Sequence, residues 1–385
     1  MDIFGRMNAL AAELGAVNLG HGFPEDPPIA EMLDAAVEAI RRGENQYSPS
    51  EGLESLRAVL ARRGEARGVS YDPNHEITVT AGCTEALAAG LLALAPPGSE
   101  ILALEPFYDT YPWLADLAGA RLVAVQLEGG GPDREAAAVA ALRAAVTPAT
   151  RVLLLNTPHN PTGAALARTT LEALAELAGE HDLVVLCDEV YEEFVYDGRH
   201  ERIAALDGMR ERTIVCSSAT KTLSVSGWRV GWAYGPPDLT AALRDAHRSL
   251  TFCAPTPLQA GVAAALEWAD ATGYFDELRR DYVARRDILV EALTAAGLDV
   301  APPAAGCFVV ANVLPWSGGG DVADFAVELA HEAGVVAIPL TTSVSTPAVG
   351  DQLLRFAFCK EPAKLEEAAR RLRRYAPSAA ARSAS

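Results

Sequence analysis

Lysine is almost missing from this chain: of its 32 basic residues only three, Lys221, Lys360 and Lys364, are lysine. Arginine carries the rest of the positive charge. A lysine kept in such a background draws attention, because an amine can lose its proton when desolvated and attack a carbonyl, whereas a guanidinium cannot. Positive charge is itself scarce. Against 51 acidic residues it leaves a formal charge of −19, which speaks against a nucleic-acid or anionic-membrane partner, since both need basic faces. The one basic cluster, "RRLRRY" at 370–375, is expected on the solvated face of a last helix. The six cysteines stand singly at 83, 187, 216, 253, 307 and 359. With no CxxC pair and no metal-ligand spacing, they predict no metal site and a reduced, cytoplasmic protein. Long uninterrupted apolar runs are also lacking. The N-terminus has no basic segment followed by an apolar core, and no later stretch reaches membrane-spanning length without charge, so a soluble, unprocessed chain is expected.

What is present is enough for one large domain with a sizeable core and a smaller one: 385 residues, half of them apolar. From about 76 to 235 short β-rich runs alternate with helical patterns, as in βα units building a mostly parallel sheet. The runs are "EITVTAG", "EILALEP", "RVLLLNTP", "DLVVLCDEVY" and "RTIVCSS". Several are apolar almost throughout, as suits strands covered on both faces. Over 272–297, Leu278, Tyr282, Leu289 and Leu293 recur at helical spacing and Gly297 closes the pattern. That length suits a helix running from the large domain into the small one. The last hundred residues mix short strands ("GCFVVANV", "GVVAIPL", "LLRFAFC") with helices, an α+β pattern. "SGGGD" at 317–321 reads as a loop, and the end from about 376, "APSAAARSAS", as a disordered tail.

In an open parallel sheet ligands bind beyond the carboxyl ends of the strands, so the loops that follow the strands come first. After "EITVT", "AGCTEA" opens a helix with small residues, offering free N–H groups and a positive dipole end to a phosphate. After "RVLLL" comes "NTPHNPTG", a turn that can aim Asn160. After "DLVVLC" stand Asp188 and then Tyr191. After "RTIVC" come Ser218 and Lys221, with Arg229 further on. Each has a plain reading, an Asp as helix cap or a small-residue helix start. Together, a phosphate cradle, an amine nucleophile, a buried carboxylate and a tyrosine suit pyridoxal 5′-phosphate, whose aldehyde bonds to a lysine and whose ring nitrogen a carboxylate keeps protonated. The Lys-Thr of "ATKT" is not a P-loop, because Thr220 stands where glycine should precede the lysine and the earlier glycine is missing. Neither GxSxG nor HExxH occurs.

With these residues in view the chain resembles the fold-type I pyridoxal-phosphate-dependent aminotransferases of class I/II, and within them the kynurenine aminotransferase, glutamine transaminase K and methionine aminotransferase branch. The likeness covers about residues 3–375 and rests on "VNLGHGFPEDPP", "NQY", "EPFYDTY", "NTPHNPTG", "DEVYEEFVYDG", "SSATKTLSVSGWRVGW", "VVAIPL" and "LLRFAFCK" in the family's order. It implies an α/β fold. A large cofactor-binding domain (46–284), with a mostly parallel seven-stranded sheet between helices, would be joined by a smaller α+β domain (1–45 and 285–385).

The resemblance further implies that Lys221 bonds the cofactor and then moves the proton at the substrate Cα. Asp188 would pair with the pyridine nitrogen, Asn160 and Tyr191 would hold the 3′ oxygen, and Tyr108 would stack on the ring. Ser218, Arg229 and the amides of Cys83 and Thr84 would hold the phosphate, with Tyr47 reaching it from a neighbouring subunit of a homodimer. Arg355 would clamp the substrate α-carboxylate, helped by Gly22 and Asn160. The departures from the family pattern are expected mostly in the substrate pocket: His21 for glutamine, Cys253 for a polar or aromatic residue, small Ser343 and Val344 where an aromatic is frequent, and Thr220 for glycine or serine. The implied reaction is transfer of the amine of a neutral or aromatic L-amino acid to a 2-oxo acid by a ping-pong cycle. A β/γ-elimination or replacement enzyme of the same cofactor is the alternative, and a non-catalytic binding protein of the same fold a more distant one.

Overall fold

The computed structural model of the chain describes residues 3–127, 131–345 and 350–383. The twelve strands among the described residues are, in order, β1 (Val17–Asn18), β2 (Ile77–Thr80), β3 (Glu100–Glu105), β4 (Arg121–Gln126), β5 (Thr150–Asn156), β6 (Val184–Asp188), β7 (Thr213–Ser218), β8 (Gly231–Tyr234), β9 (Phe308–Asn312), β10 (Val335–Val336), β11 (Ile338–Pro339) and β12 (Leu353–Ala357). Seven of them form one sheet in the order β2-β8-β7-β6-β5-β3-β4. All neighbours pair in parallel except β8, which runs antiparallel to both β2 and β7. Alternate residues of each strand point to opposite faces. Accordingly Leu153, Leu155, Val185 and Val215 join the core under helices Pro132–Ala145 and Arg168–Glu180, while Val152, Leu154, Leu186 and Ile214 join the core under helix Cys83–Leu94.

Two strands of this sheet lie outside the five apolar runs picked out above. β4, "RLVAVQ", is an edge strand whose residues are at best half-buried, so it carries no apolar run. β8 is only four residues long and begins with Gly231. A Cβ there would run into the backbone of Gly82 and Cys83, so the glycine lets β8 lie against the loop that follows β2.

A second body of strands completes the chain: β9, β11 and β12 in an antiparallel sheet ordered β11-β12-β9, and β1 parallel to β10. Helix Tyr274–Ala295 links it to the rest and buries Leu278, Tyr282, Leu289 and Leu293, the four positions its spacing predicts. Helix Ala30–Arg41 lies on helix Thr256–Thr272, where Gly261 leaves room for the Met32 carbonyl. The C-terminal stretch differs from expectation: helix Pro362–Ser383 continues through the residues read as a disordered tail, Ala384 and Ser385 alone lying outside the described residues. Alanine is the best helix former, and the run Ala379–Ala381 carries the helix on past Pro377. On that helix Arg370, Arg373 and Arg374 face solvent while Leu372 and Tyr375 are buried. Among the described residues no helix is long and apolar enough to cross a membrane.

Candidate active site

The carboxyl ends of β5, β6 and β7 open on a cavity of about 450 Å³. Lys221, Asp188, Tyr191, Asn160, Tyr108, Cys83, Thr84, Ser218, Arg229, Arg355, Gly22 and His21 all line it, so the residues singled out in the sequence meet in one place, Tyr47 excepted.

The floor is built from strand ends. Asp188 is the last residue of β6 and 5% exposed. Its oxygens accept from the Tyr111 hydroxyl at 2.8 Å and the Val190 amide at 3.1 Å, with the Cys83 thiol at 3.5 Å. Burial raises its pKa, and those donors, Tyr111 foremost, oppose the rise. A cationic N–H placed against this carboxylate would complete a buried ion pair. Asn156, at the end of β5, donates to the Asp188 carbonyl at 3.0 Å and accepts from the Asn160 amide at 2.7 Å, which locks the "NTPHNPTG" turn to the neighbouring strand end. Behind the floor, Glu189, Glu192 and Glu193 sit in a buried ionic network. Arg202 and His200 each lie 2.9 Å from Glu189, Arg63 lies 2.6 Å from Glu193, and Ser217 donates to Glu192 at 3.0 Å.

At one end of the cavity is an anion cradle. Helix Cys83–Leu94 starts at a Gly82 whose φ is +87°, and the amides of Cys83 and Thr84 precede its first hydrogen-bonded turn. A Cβ at Gly82 would meet the Arg229 guanidinium, so only glycine lets the arginine come this close. Arg229 is itself held in the left-handed region at φ 52° and donates to the Ser226 carbonyl at 3.1 Å. Ser218 and Thr220 share a hydrogen bond beside it.

Between cradle and mouth stands Lys221. Its Nζ donates to the Gly22 carbonyl at 2.6 Å and lies 6.0 Å from the centre of the Tyr191 ring. Burial lowers its pKa, and the nearby Arg355 and Lys360 lower it further. A Cβ at Gly22 would overlap the Phe308 ring, so any other residue would push that carbonyl off the lysine. Arg355, on β12, lies over the Phe308 ring at 4.1 Å, donates to Asn160 Oδ1 at 3.3 Å and to the Gly20 carbonyl at 3.2 Å, and has a buried Nε with no partner in the protein. An unpaired buried donor costs about 1–3 kcal/mol, a cost that a ligand accepting from this Nε would remove. His21 is half-buried, 5.1 Å from the Phe23 ring, and its pKa is lowered by burial and by Lys360, Arg355 and Lys221, all of which favour its uncharged form.

Sequence reasoning missed several lining residues. Tyr111 stands in the same "EPFYDTY" motif that supplied Tyr108, and Asn156 is the first asparagine of "NTPHNPTG"; both motifs carried the signal. Asp109, of the same "EPFYDTY" motif, and Phe4 and Phe308 also line the cavity, and nothing in the spacing of the two phenylalanines marks them. The departing positions are less concentrated here than expected. His21 and Thr220 line the cavity, whereas Ser343 and Val344 are buried outside its lining, Ser343 O accepting from the Phe107 amide at 2.7 Å, and Cys253 is not part of it either.

An anion cradle, a buried carboxylate and a desolvated lysine in one cavity fit the phosphate, the ring nitrogen and the aldehyde of pyridoxal 5′-phosphate, and with a seven-stranded sheet in this order they define a fold-type I enzyme of that cofactor. The chain belongs to the aminotransferase class I and II family, which it matches over residues 15–372. It is 45% identical to the probable N-succinyldiaminopimelate aminotransferase DapC of Mycobacterium tuberculosis, across 96% of this chain and 95% of that one. It is 34% identical to the methionine aminotransferase of Escherichia coli strain K12, with 96% and 95% covered. The solved N-succinyldiaminopimelate aminotransferase of M. tuberculosis superposes with a TM-score of 0.92 at 44% identity, covering 97% of each chain. The protein is therefore a pyridoxal-phosphate-dependent transaminase, and a lyase reading is not favoured.

Proposed function

We propose that this transaminase prefers amino donors whose side chain carries no carboxylate, such as methionine, glutamine or an aromatic amino acid, and passes the amine to a 2-oxo acid. The observation that supports this is the make-up of the mouth. Phe4, Phe23, Tyr108 and Phe308 line the cavity together with His21 and Asp109, and the Arg355 guanidinium lies over the Phe4 and Phe308 rings. A side-chain carboxylate buried there without a second cation would be costly.

The residues divide the work as follows. When bound, pyridoxal phosphate supplies an aldehyde to take up the amine and a ring that draws electrons from the bonds at Cα. Lys221, its proton affinity lowered by burial and two cations, holds that group and then carries a proton to and from Cα, with the Gly22 carbonyl fixing where its Nζ points. Asp188 keeps the ring nitrogen charged. Asn160 and Tyr191 would hold the 3′ oxygen, Tyr108 would stack on the ring, and Ser218, Arg229 and the amides of Cys83 and Thr84 would hold the phosphate. Arg355 takes the α-carboxylate through its free Nε and fork.

Tyr47 is 80% exposed on this chain, edge-on to Phe252 at 5.1 Å. That exposure supports a homodimer in which each Tyr47 reaches the partner's phosphate site. We take the division into a large unit (46–284) and a small unit (1–45 and 285–385) as our reading too, supported by the separate sheets, with helix Ala30–Arg41 lodged on the large unit. The six free thiols support a reducing, cytoplasmic setting.

A second reading, N-succinyldiaminopimelate as the substrate, is favoured by the 45% identity to the M. tuberculosis protein. Measuring kcat/KM for methionine, phenylalanine, glutamine, aspartate and N-succinyl-diaminopimelate separates the two. The first reading expects neutral donors ahead of aspartate by tenfold or more, about 1.4 kcal/mol, and aspartate as best donor overturns it. N-succinyl-diaminopimelate leading by the same margin selects the second. Arg355→Lys keeps the charge and loses the fork, so it should weaken every donor together; a loss confined to one donor would move Arg355 from the shared carboxylate to the side chain.

A further inference from the structure

All three lysines of the chain end on one short segment. Lys221 donates to the Gly22 carbonyl, Lys360 to the Phe23 carbonyl at 3.4 Å and to Glu25 at 3.1 Å, and Lys364 to Glu25 at 2.8 Å. Residues 19–28 belong to no helix or strand, so no ladder fixes them. Their carbonyls are held one by one instead. Leu19 O accepts from the Ala357 amide at 2.7 Å, Gly20 O from Arg355, His21 O from the Cys359 thiol at 4.0 Å, Gly22 O from Lys221 and Phe23 O from Lys360. At the far end Asp26 is bound by Arg285 and by the Tyr282 hydroxyl at 3.0 Å.

This strap brings His21, Gly22 and Phe23 to the cavity wall. Two of its five carbonyls are held by Arg355 and Lys221, groups that must also serve the substrate. When a carboxylate occupies the Arg355 fork, the hold on Gly20 competes with it; when Lys221 moves a proton, its hold on Gly22 changes. Beside the cavity, Lys360 is a charged anchor of the strap with no such second duty. It is 1% exposed, and its Nζ lies 4.2 Å from the centre of the Phe23 ring. A buried ammonium is tolerated only when paired, and its partners are Glu25, the Phe23 carbonyl and the Phe23 ring face.

We propose that Lys360, through Glu25 and Phe23, is a positioning residue that holds the 19–26 strap against Lys221 and thereby sets how far the enzyme discriminates among amino donors by side chain. The proposal rests on the transamination established above and on no particular best donor.

The test uses the holoenzyme with Lys360→Met, Glu25→Gln and, as a control on the exposed ion pair, Lys364→Met. Two quantities are read: hydrogen exchange of backbone amides in peptides spanning 19–30, against a peptide spanning 150–156, and the ratio of kcat/KM for a large donor, phenylalanine, to that for alanine. Lys360→Met should speed exchange in the strap about tenfold with the 150–156 peptide unchanged, and should move the donor ratio about tenfold, mostly through KM. Glu25→Gln should move both about threefold in the same direction, and Lys364→Met neither. A strap that exchanges faster while the donor ratio stays within twofold overturns the proposal and leaves Lys360 a structural residue. So does a ratio that changes without any change in strap exchange. If Lys360→Met does not fold, Glu25→Gln decides on the same two readouts, since Glu25 is itself only partly buried. Loss of all amine transfer in the parent protein would instead strike the function, which the donor ratio keeps apart from this proposal.

Discussion

The floor and the mouth of this cavity are built in opposite ways. On the floor, functional residues are strand ends and helix starts: Asp188 closes β6, Ser218 closes β7, and Cys83 opens a helix. Backbone ladders place them, and a buried network of Glu189, Glu192 and Glu193 with Arg63, Arg67 and Arg202 braces them from behind. At the mouth, an irregular strap is hung from side chains, one carbonyl at a time. The lesson is a division of labour. On our proposal, chemistry common to every substrate sits where the fold is over-determined, and selection among substrates sits where a few contacts decide the geometry.

The sharpest way to break that comparison is at its junction. Lys221→Ala removes the amine that serves the floor's chemistry and also one tether of the strap. Proton transfer by a positioned group contributes about 10²–10⁴-fold, so turnover should fall at least a hundredfold, and borohydride reduction of the wild-type protein followed by peptide mapping should place the pyridoxyl group on Lys221. A label on Lys360 or Lys364 would reverse the roles given to the three lysines. Next in size is Asp188→Ala. Removing one partner of a buried charge pair costs about 3–5 kcal/mol. Most turnover should be lost while circular dichroism reports the fold intact, because the ladder of β5, β6 and β7 does not depend on that side chain. Near-normal turnover would show that the floor does not hold the ring nitrogen through this carboxylate.

The same contrast explains what could be read from the sequence. Asp188, Ser218, Lys221 and the helix start at Cys83 follow strands whose apolar runs announce them, so the floor was legible from the order of runs and loops. The Tyr108, Asn160 and Arg355 assignments came from motifs in a resemblance, and the cavity gathers all three. β4 escaped the run-by-run reading because an edge strand is half wet and need not be apolar throughout. Tyr111 and Asn156 stand inside quoted motifs, but their task, to bind Asp188 across 77 and 32 residues of chain, is a relation that no local pattern encodes. The strap was legible only as "GHGFPED". That Lys360 and Lys364 would meet Glu25 follows from β12 lying beside residues 19–23, which is a tertiary fact. The end of the chain reads as a tail because its ten residues are small and polar, while its alanines favour the helix that runs to Ser383.

The smallest effect expected on the floor is also the one that tests whether it is over-determined. Tyr111→Phe removes a single donor, the 2.8 Å hydrogen bond to Asp188, and leaves the ring edge-on to Tyr108 at 5.6 Å. A hydrogen bond to a charged group contributes about 1.5–3 kcal/mol, but the Val190 amide and the Cys83 thiol remain on the other oxygen, so the loss should sit at the low end, roughly tenfold in kcat/KM at neutral pH. Its sign with pH follows from the forces on Asp188. Burial raises that carboxyl above its ordinary value and Tyr111 is the largest force pulling it back. Without Tyr111 the carboxyl rises further, a smaller fraction is ionised at acidic pH, and the acid limb of the kcat/KM profile moves to higher pH while the alkaline limb stays in place. In the cofactor-free protein a carboxyl raised on folding favours the native state at pH below its unfolded value, and that contribution is lost as pH rises through the folded value. Tyr111→Phe should therefore deepen the fall in melting temperature between acidic and neutral pH. A variant whose acid limb and melting profile both match the wild type would mean that Val190 and Cys83 alone hold Asp188. A variant that fell as far as Asp188→Ala would mean that the floor, like the mouth, hangs on one contact.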